Sequence, residues 1–527
     1  MTQSGSGHGT TVRDAVFQVL RHHGMTTIFG NPGSTELPLF SELPEGFRYV
    51  TGLQESVVVA MADGHALASG APAFANLHSA AGVGHAMGSI YSAFRNRAPV
   101  VITAGQQSRP LLSADPFLYA EAATELPQPY VKWAIEPARA EDVPAAIARA
   151  IHIACLPPAG PVFVSIPLDD WARPCAPPVL RAVTGRAQPE AGALAGVADQ
   201  LEAAADPVLV VGAGVDADGA WEAVVGLAEH YQAPVWVAPL SSRCSFPESH
   251  PLFAGFLPAN EADISRRLAG HDLILTLGAP VFTYHYEMPG PIPPEGAELV
   301  QIVSDPRQAA SAVCGRSLVG DLDLSLRALR AAAGAARAPR SVPLRRPEPP
   351  KPGRGISSAM ALAALQRLRP ASGIVVEEAP SSRDDVHDHL PIDRAGGFFA
   401  TASGGLGYAL PAAVGVALSD PGQTVLAVLG DGSSMYAIQG LWSAVEHRAD
   451  VLFVVLNNGG YAALKGFAGN KEVVGCDIGH LSLAALAEGQ GCPAWQVSEP
   501  DALEPVLGKA FAAGGGPRLV EVMIDRG

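Results

Sequence analysis

Short apolar runs, each closed by a glycine or polar turn, recur along the chain and alternate with Ala/Leu-rich stretches of helical spacing. "APVVITAG" and "GPVFVSIP" stand in the first third, "DPVLVVGAG", "APVWVAP", "HDLILTLGAP" and "AELVQIVS" in the middle, and "SGIVVEEA", "QTVLAVLGDG", "DVLFVVLNNGG" and "PRLVEVMID" in the last. A run of this kind reads as a strand buried on both faces of a parallel sheet. Strand and helix repeated in turn leave one kind of architecture, parallel sheets covered by helices. With 527 residues the chain is too long for a single core. Residues 173–192 and 334–355 are rich in proline and glycine and lack hydrophobic periodicity, so they read as connectors. The sequence therefore predicts three doubly wound α/β domains with parallel sheets, over residues 1–180, 193–333 and 356–527.

A formal net charge of −16, with no Lys/Arg block outside the second connector, argues against a nucleic-acid surface. The six cysteines are scattered without a CxxC pair, which suggests neither a zinc site nor a disulfide framework and fits a reducing cytoplasm. The amino-terminal stretch lacks the apolar core of a signal peptide, and no apolar run reaches membrane-spanning length. A soluble, cytoplasmic protein without membrane or nucleic-acid partners is expected.

Two turns carry the chemistry. "TVLAVLGDGSS" ends a strand in Gly430-Asp431-Gly432, and "VLFVVLNNGGY" ends the next in Asn457-Asn458-Gly459-Gly460, with 24 residues between Gly432 and Asn457. Consecutive strands of a βαβ unit bring their carboxyl ends to one edge, where the ligands of such sheets collect. The carboxylate of Asp431, the amide of Asn458 and a free backbone carbonyl in the glycine turn are hard oxygen donors that suit Mg²⁺, with Ca²⁺ as the alternative. One carboxylate holds such a cation weakly unless a diphosphate completes the shell. The glycines let backbone N–H groups approach phosphate, and the helix that follows presents its N-terminus. GDG alone or NNG alone is a common turn. The pair, each after a buried strand, is far more specific.

That combination is the signature of thiamin diphosphate sites, and the chain resembles the thiamin diphosphate-dependent 2-oxo acid decarboxylases, above all their benzoylformate decarboxylase branch. The resemblance rests on "FGNPGSTELP", "LQESVVVAMADGHALASGAPAFANLHSAAG", "GHDLILTLGAPVFTYH", "SGGLGYALPAA" and the GDG to NNGGY region, and spans all three thirds. It implies an amino-terminal pyrimidine-binding domain, a middle domain without its own cofactor and a carboxy-terminal diphosphate-binding domain. It also implies nonoxidative decarboxylation of an aromatic or bulky, benzoylformate-like 2-oxo acid to aldehyde and CO₂, through an enamine on thiamin diphosphate that stores the electron pair CO₂ leaves behind.

Residue by residue, the resemblance implies that Glu55 hydrogen bonds the cofactor's pyrimidine and so generates its reactive form, that the Gly404 carbonyl accepts from the 4′-amino group, and that Leu406 props the bent cofactor. Ser381, Gly432 and Ser433 match the diphosphate contacts, Asp431, Asn458 and the carbonyl of Gly460 match the metal ligands, and Tyr461 adjoins them. Ser34 matches the residue that hydrogen bonds the substrate carboxylate. His78 and His285 match the groups that handle protons on either side of decarboxylation, a task suited to imidazole. Ala400, Ala463, Leu464 and Phe467 match the wall of the substrate pocket. In this family Glu55 and the diphosphate clip come from neighbouring subunits, which implies a homodimer as the minimum active unit and a homotetramer as the usual assembly.

Some positions depart from the family. Ala400 falls where relatives carry a large aromatic, which opens one wall unless Phe398 or Phe399 swings in, and Pro380 replaces a hydroxyl for the diphosphate. The middle third's "VVGAGVDADG" offers a lone GxG, too weak for a flavin site. Two other readings stay open: a carboligase or lyase acting on 2-hydroxy ketones through the same intermediate, and a noncatalytic paralogue. The latter would be expected to lose Glu55 or the metal clip, and both are present.

Overall fold

The structure, a computed structural model, describes residues 10–342, 346–348, 353, 355–420, 422–468, 471, 473–479 and 481–525. The apolar runs become strands of three six-stranded sheets. The first holds β1 (Thr27–Gly30), β2 (Arg48–Thr51), β3 (Ala73–Leu77), β4 (Val100–Gln106), β5 (Ala134–Ile135) and β6 (Val162–Pro167), in the order β2-β1-β3-β4-β6-β5. The second holds β7 (Pro207–Val211), β8 (Val235–Val237), β9 (Phe253–Phe256), β10 (Leu273–Leu277), β11 (Glu298–Val303) and β12 (Arg316–Val319), in the order β12-β11-β10-β7-β8-β9. The third holds β13 (Ile374–Glu378), β14 (Phe398–Ala400), β15 (Val425–Gly430), β16 (Val451–Asn457), β17 (Ala494–Val497) and β18 (Arg518–Met523), in the order β14-β13-β15-β16-β18-β17. The registers described are parallel, for instance Leu209↔Val235 and Leu429↔Val455.

Burial explains why these runs are strands. All seven residues of β4 and all seven of β16 are buried, as central strands covered on both faces require. In the second sheet the period of two is visible in the packing: Leu209, Val211 and Leu275 join one core, while Val208, Val210 and Ile274 join the other.

The chain forms two compact units, one of Met1–Thr184, Ser403–Gln496 and Ala512–Glu521, the other of Gly185–Ala402, Val497–Phe511 and Val522–Gly527. In the first, the helix Glu55–Ser69 is buried nearly all round and lies against the helix Ala409–Ser419 at backbone distance. A Cβ on Gly64 would sit 2.2 Å from the Ala412 carbonyl oxygen, and one on Gly415 1.9 Å from that of Met61. Asp63, wholly buried within that helix, is satisfied by Asn96 Nδ2 at 2.9 Å and by the Tyr408 hydroxyl at 3.4 Å. Among the described residues no helix is long and apolar enough to cross a membrane.

Candidate active site

Where β15 ends, the helix Asp431–Met435 begins at once. The Ser433 hydroxyl closes its first turn, accepting from the Gly430 N–H at 3.1 Å and lying 3.0 Å from the Gly430 carbonyl, to which it donates. That turn folds Asp431 inward, to 3% exposure. Its Oδ1 accepts the Gly432 N–H at 2.9 Å, whereas its Oδ2 is buried without a hydrogen-bond partner. Burial pushes this carboxyl's pKa up, and the N–H groups of Gly432, Gly459 and Gly460 pull the other way. The last two donate to Asn457 Oδ1 at 2.9 Å and Asn458 Oδ1 at 3.1 Å, so they act on Asp431 as nearby partial charges more than as bonded donors.

The two asparagines divide their work. Asn457 donates through Nδ2 to Glu521 at 2.7 Å, and that fully buried carboxylate also accepts from the Leu483 and Ala484 N–H groups, each at 3.1 Å. Asn457 therefore fixes the strand end. Asn458 shapes the turn beyond it, which is also tied to the segment after the next helix: Tyr461 N–H donates to the Cys476 carbonyl at 2.7 Å and Ile478 N–H to the Gly459 carbonyl at 3.0 Å. Here the glycines make room. A Cβ on Gly460 would lie 2.1 Å from the Cys476 carbonyl oxygen, and one on Gly432 would lie 2.4 Å from the Tyr461 ring.

Among the described residues no three His, Cys, Asp or Glu side chains are grouped to hold a metal by themselves. The donors at this turn fit a hard cation of the other sort: an orphaned carboxylate oxygen, a side-chain amide and a glycine-turn carbonyl, to be completed by phosphate oxygens. Asp431, Asn458 and Gly460 are the residues that would hold Mg²⁺.

A second cluster gathers around the first sheet. Glu55 opens the helix Glu55–Ser69, whose N-cap Gln54 accepts from the Ser56 N–H at 2.8 Å. It is not a solvated helix residue, being 7% exposed, and its Oε2 meets His85 Nδ1 at 3.2 Å. His78 caps the helix Ser79–Asn96, and its Nδ1 lies 2.8 Å from Glu36 Oε2. Glu36, 1% exposed, also accepts from the N–H groups of Gly33 and Gly105, both at 2.9 Å, and from the Thr35 hydroxyl at 2.6 Å. A Cβ on Gly33 would fall 2.0 Å from His78 Nδ1, and one on Gly105 2.1 Å from Glu36 Oε1. The carboxylate, which can only accept, thus holds the hydrogen on Nδ1. Ser34, in the same turn, is exposed. Sequence reading missed Glu36. Its one signal was a carboxylate two residues after Ser34 in the quoted "NPGSTELP".

Gly404 has φ +71°, a left-handed conformation that favours glycine, and lies exposed two residues before the half-buried Leu406. Ala463, Leu464 and Phe467 lie on the helix Ala462–Ala468, with Leu464 and Phe467 exposed. In the second unit, Ser381 is exposed in the short 3₁₀ turn Pro380–Ser382, and His285 is exposed with its N–H donated to the Ala259 carbonyl at 2.8 Å. Ala400 is buried at the end of β14. Neither aromatic beside it is free to swing: Phe398 packs against the His387 ring at 5.0 Å, and Phe399 lies under the Arg243 guanidinium at 5.6 Å.

Three family models match the chain: the N-terminal thiamine pyrophosphate (TPP) binding domain of thiamine pyrophosphate enzymes over residues 10–128, their central domain over 194–329 and their C-terminal TPP binding domain over 381–522. A benzoylformate decarboxylase of Pseudomonas aeruginosa is 46% identical over 97% of this chain and 98% of its own. A solved thiamine diphosphate-dependent 4-hydroxybenzoylformate decarboxylase of Rhodococcus jostii superposes with a TM-score of 0.95 at 41% identity, covering 98% of this chain and 99% of that one. The benzoylformate decarboxylase structure from Polynucleobacter necessarius gives 0.92 at 37% identity, with the same coverage.

Proposed function

The chain belongs to the thiamin diphosphate-dependent 2-oxo acid decarboxylases of benzoylformate decarboxylase type, and we propose that it removes CO₂ from an aromatic 2-oxo acid and releases the aldehyde. Thiamin diphosphate, when bound, supplies a cationic ring that takes up the electron pair CO₂ leaves behind. Asp431, Asn458 and the Gly460 carbonyl would hold its diphosphate through Mg²⁺, helped by Gly432, Ser433 and Ser381, with Tyr461 alongside. Glu55 would hold a proton at the pyrimidine nitrogen, the Gly404 carbonyl would orient the amino group and Leu406 would pack against the cofactor. Ser34 binds the substrate carboxylate. His78, fixed through Nδ1 by Glu36, and His285 move protons before and after CO₂ leaves.

The observation that carries this reading is the buried Asp431 Oδ2, a carboxylate oxygen with no partner at the turn where a cation would sit. The pinned Phe398 and Phe399 support the reading that Ala400 leaves room for a ring larger than unsubstituted phenylglyoxylate. A homodimer as the working unit, assembling as a homotetramer, is supported by large apolar side chains left exposed close in sequence to Glu55 and to the Asp431 and Asn458 turns: Leu53, Tyr436 and Leu464. Six unpaired cysteines fit the cytoplasm. The test is incubation with Mg²⁺, thiamin diphosphate and either benzoylformate or its 4-hydroxy derivative, with aldehyde and 2-hydroxy ketone quantified separately. Aldehyde as the main product, with the substituted acid preferred, is expected; no CO₂ release from any aromatic 2-oxo acid would overturn the reading.

A further inference from the structure

Two helices meet at Glu55. The carboxylate projects from the first turn of Glu55–Ser69 toward Ser79–Asn96, where Gly82 and His85 lie one turn apart. Gly82 presents no side chain: a Cβ there would stand 3.0 Å from Glu55 Oε1 and 3.2 Å from its Cγ. His85 covers the other oxygen, Nδ1 to Oε2 at 3.2 Å, while most of its ring stays in solvent. One carboxylate oxygen is engaged, and the other faces a residue without a side chain.

The remaining ionisable groups nearby are occupied elsewhere. On the Glu55 helix, Asp63 is bound by Asn96 and Tyr408, and His65 hydrogen bonds the backbone at Gly415. His78, at the cap of the His85 helix, is held by Glu36. The helix Ala409–Ser419 and strands β1, β3 and β4, all packed against the Glu55 helix, bring no ionisable side chain.

We infer that His85 is a positioning residue for Glu55, orienting the carboxylate through Nδ1 and setting how much of its charge is available to the cofactor. This rests on the reading of Glu55 given above. With the ring neutral, Nδ1–H donates to Oε2 and leaves Oε1 for the pyrimidine nitrogen. With the ring protonated, the contact becomes an ion pair, and the carboxylate divides its charge between two cations. Cofactor binding and turnover then weaken together in mild acid, through a group that touches neither substrate nor reacting carbon.

The test measures thiamin diphosphate affinity by calorimetry in Mg²⁺, and kcat/KM, from about pH 8 to about pH 5.5. His85→Gln keeps a donor that does not titrate. It should match the wild type at the alkaline end and lose the acid decline in both quantities. His85→Phe should bind the cofactor roughly 10-fold more weakly than the wild type at the alkaline end, as expected for a lost hydrogen bond to a charged group, and like His85→Gln should show no acid decline. Glu55→Gln separates the two readings. If it keeps wild-type turnover, the role given to Glu55 fails. If it loses turnover while His85→Gln retains the wild-type acid decline in affinity, Glu55 stands and the role of His85 is overturned.

Discussion

The second and third sheets each close a buried strand with a glycine turn, Gly212-Ala213-Gly214 after β7 and Gly430-Asp431-Gly432 after β15. Counted from β7 as the first strand and read from β9 to β12, the second sheet runs 3-2-1-4-5-6, the order of dinucleotide-binding sheets, so its turn lies where such folds receive a pyrophosphate. Yet that turn is filled by the protein. Gly212 N–H donates to the Leu277 carbonyl and Gly214 N–H to the Gly278 carbonyl, both at 2.9 Å, and a Cβ on Gly214 would lie 2.7 Å from Gly278 Cα. The amides that would meet phosphate are spent on the end of β10. After β15, by contrast, a buried carboxylate oxygen remains without a partner. A glycine turn by itself reports close backbone approach; the unpaired polar atom beside it reports a ligand.

Substitutions at the two turns should therefore act in opposite directions. Asp431→Ala should lower thiamin diphosphate affinity in Mg²⁺ by more than about 100-fold, ligand removal exceeding the effects seen for outer partners. The same change should make the cofactor-free protein more stable at neutral pH, by about 1–3 kcal/mol, because it removes a buried unsatisfied group. The sign follows from the raised Asp431 pKa: the folded state favours the protonated form, so the penalty exists above that pKa and fades as pH falls through it. Thermal unfolding with and without cofactor checks both halves.

Glu36→Gln probes a third use of glycine, room for a carboxylate against an imidazole. With Nδ1 no longer held by a charge, kcat/KM should fall by about 10²-fold and its pH profile should move, while cofactor affinity stays unchanged. The smallest effect on function belongs to Gly214→Ala. It should cost about 1–3 kcal/mol in denaturant unfolding, through overpacking against Gly278, and leave cofactor affinity as it was. A loss of affinity there would erase the contrast between the turns.

The central strands were legible because they are buried on both faces and read as unbroken apolar runs. Edge strands were not: β2, β9, β12 and β17 are half-solvated, and β5 is two residues long, so no continuous run marks them. Asp431 and Asn458 announced themselves through paired turns at fixed spacing. Glu36 and His85 did not, since each acts through a partner distant in sequence, His78 and Glu55, and a lone Glu in a turn or a lone His in a helix carries no mark of its contact. The work of Asn457 was hidden likewise, its partner Glu521 lying 64 residues on.

A calorimetric titration of the protein with thiamin diphosphate, in Mg²⁺ and again in excess chelator, decides whether the Asp431 turn binds the cofactor through a cation. Stoichiometric binding that needs the cation, and that Asp431→Ala abolishes, is the expected result. Equal affinity with and without a divalent cation would contradict the assignment of the Asp431 turn as a metal and diphosphate clip.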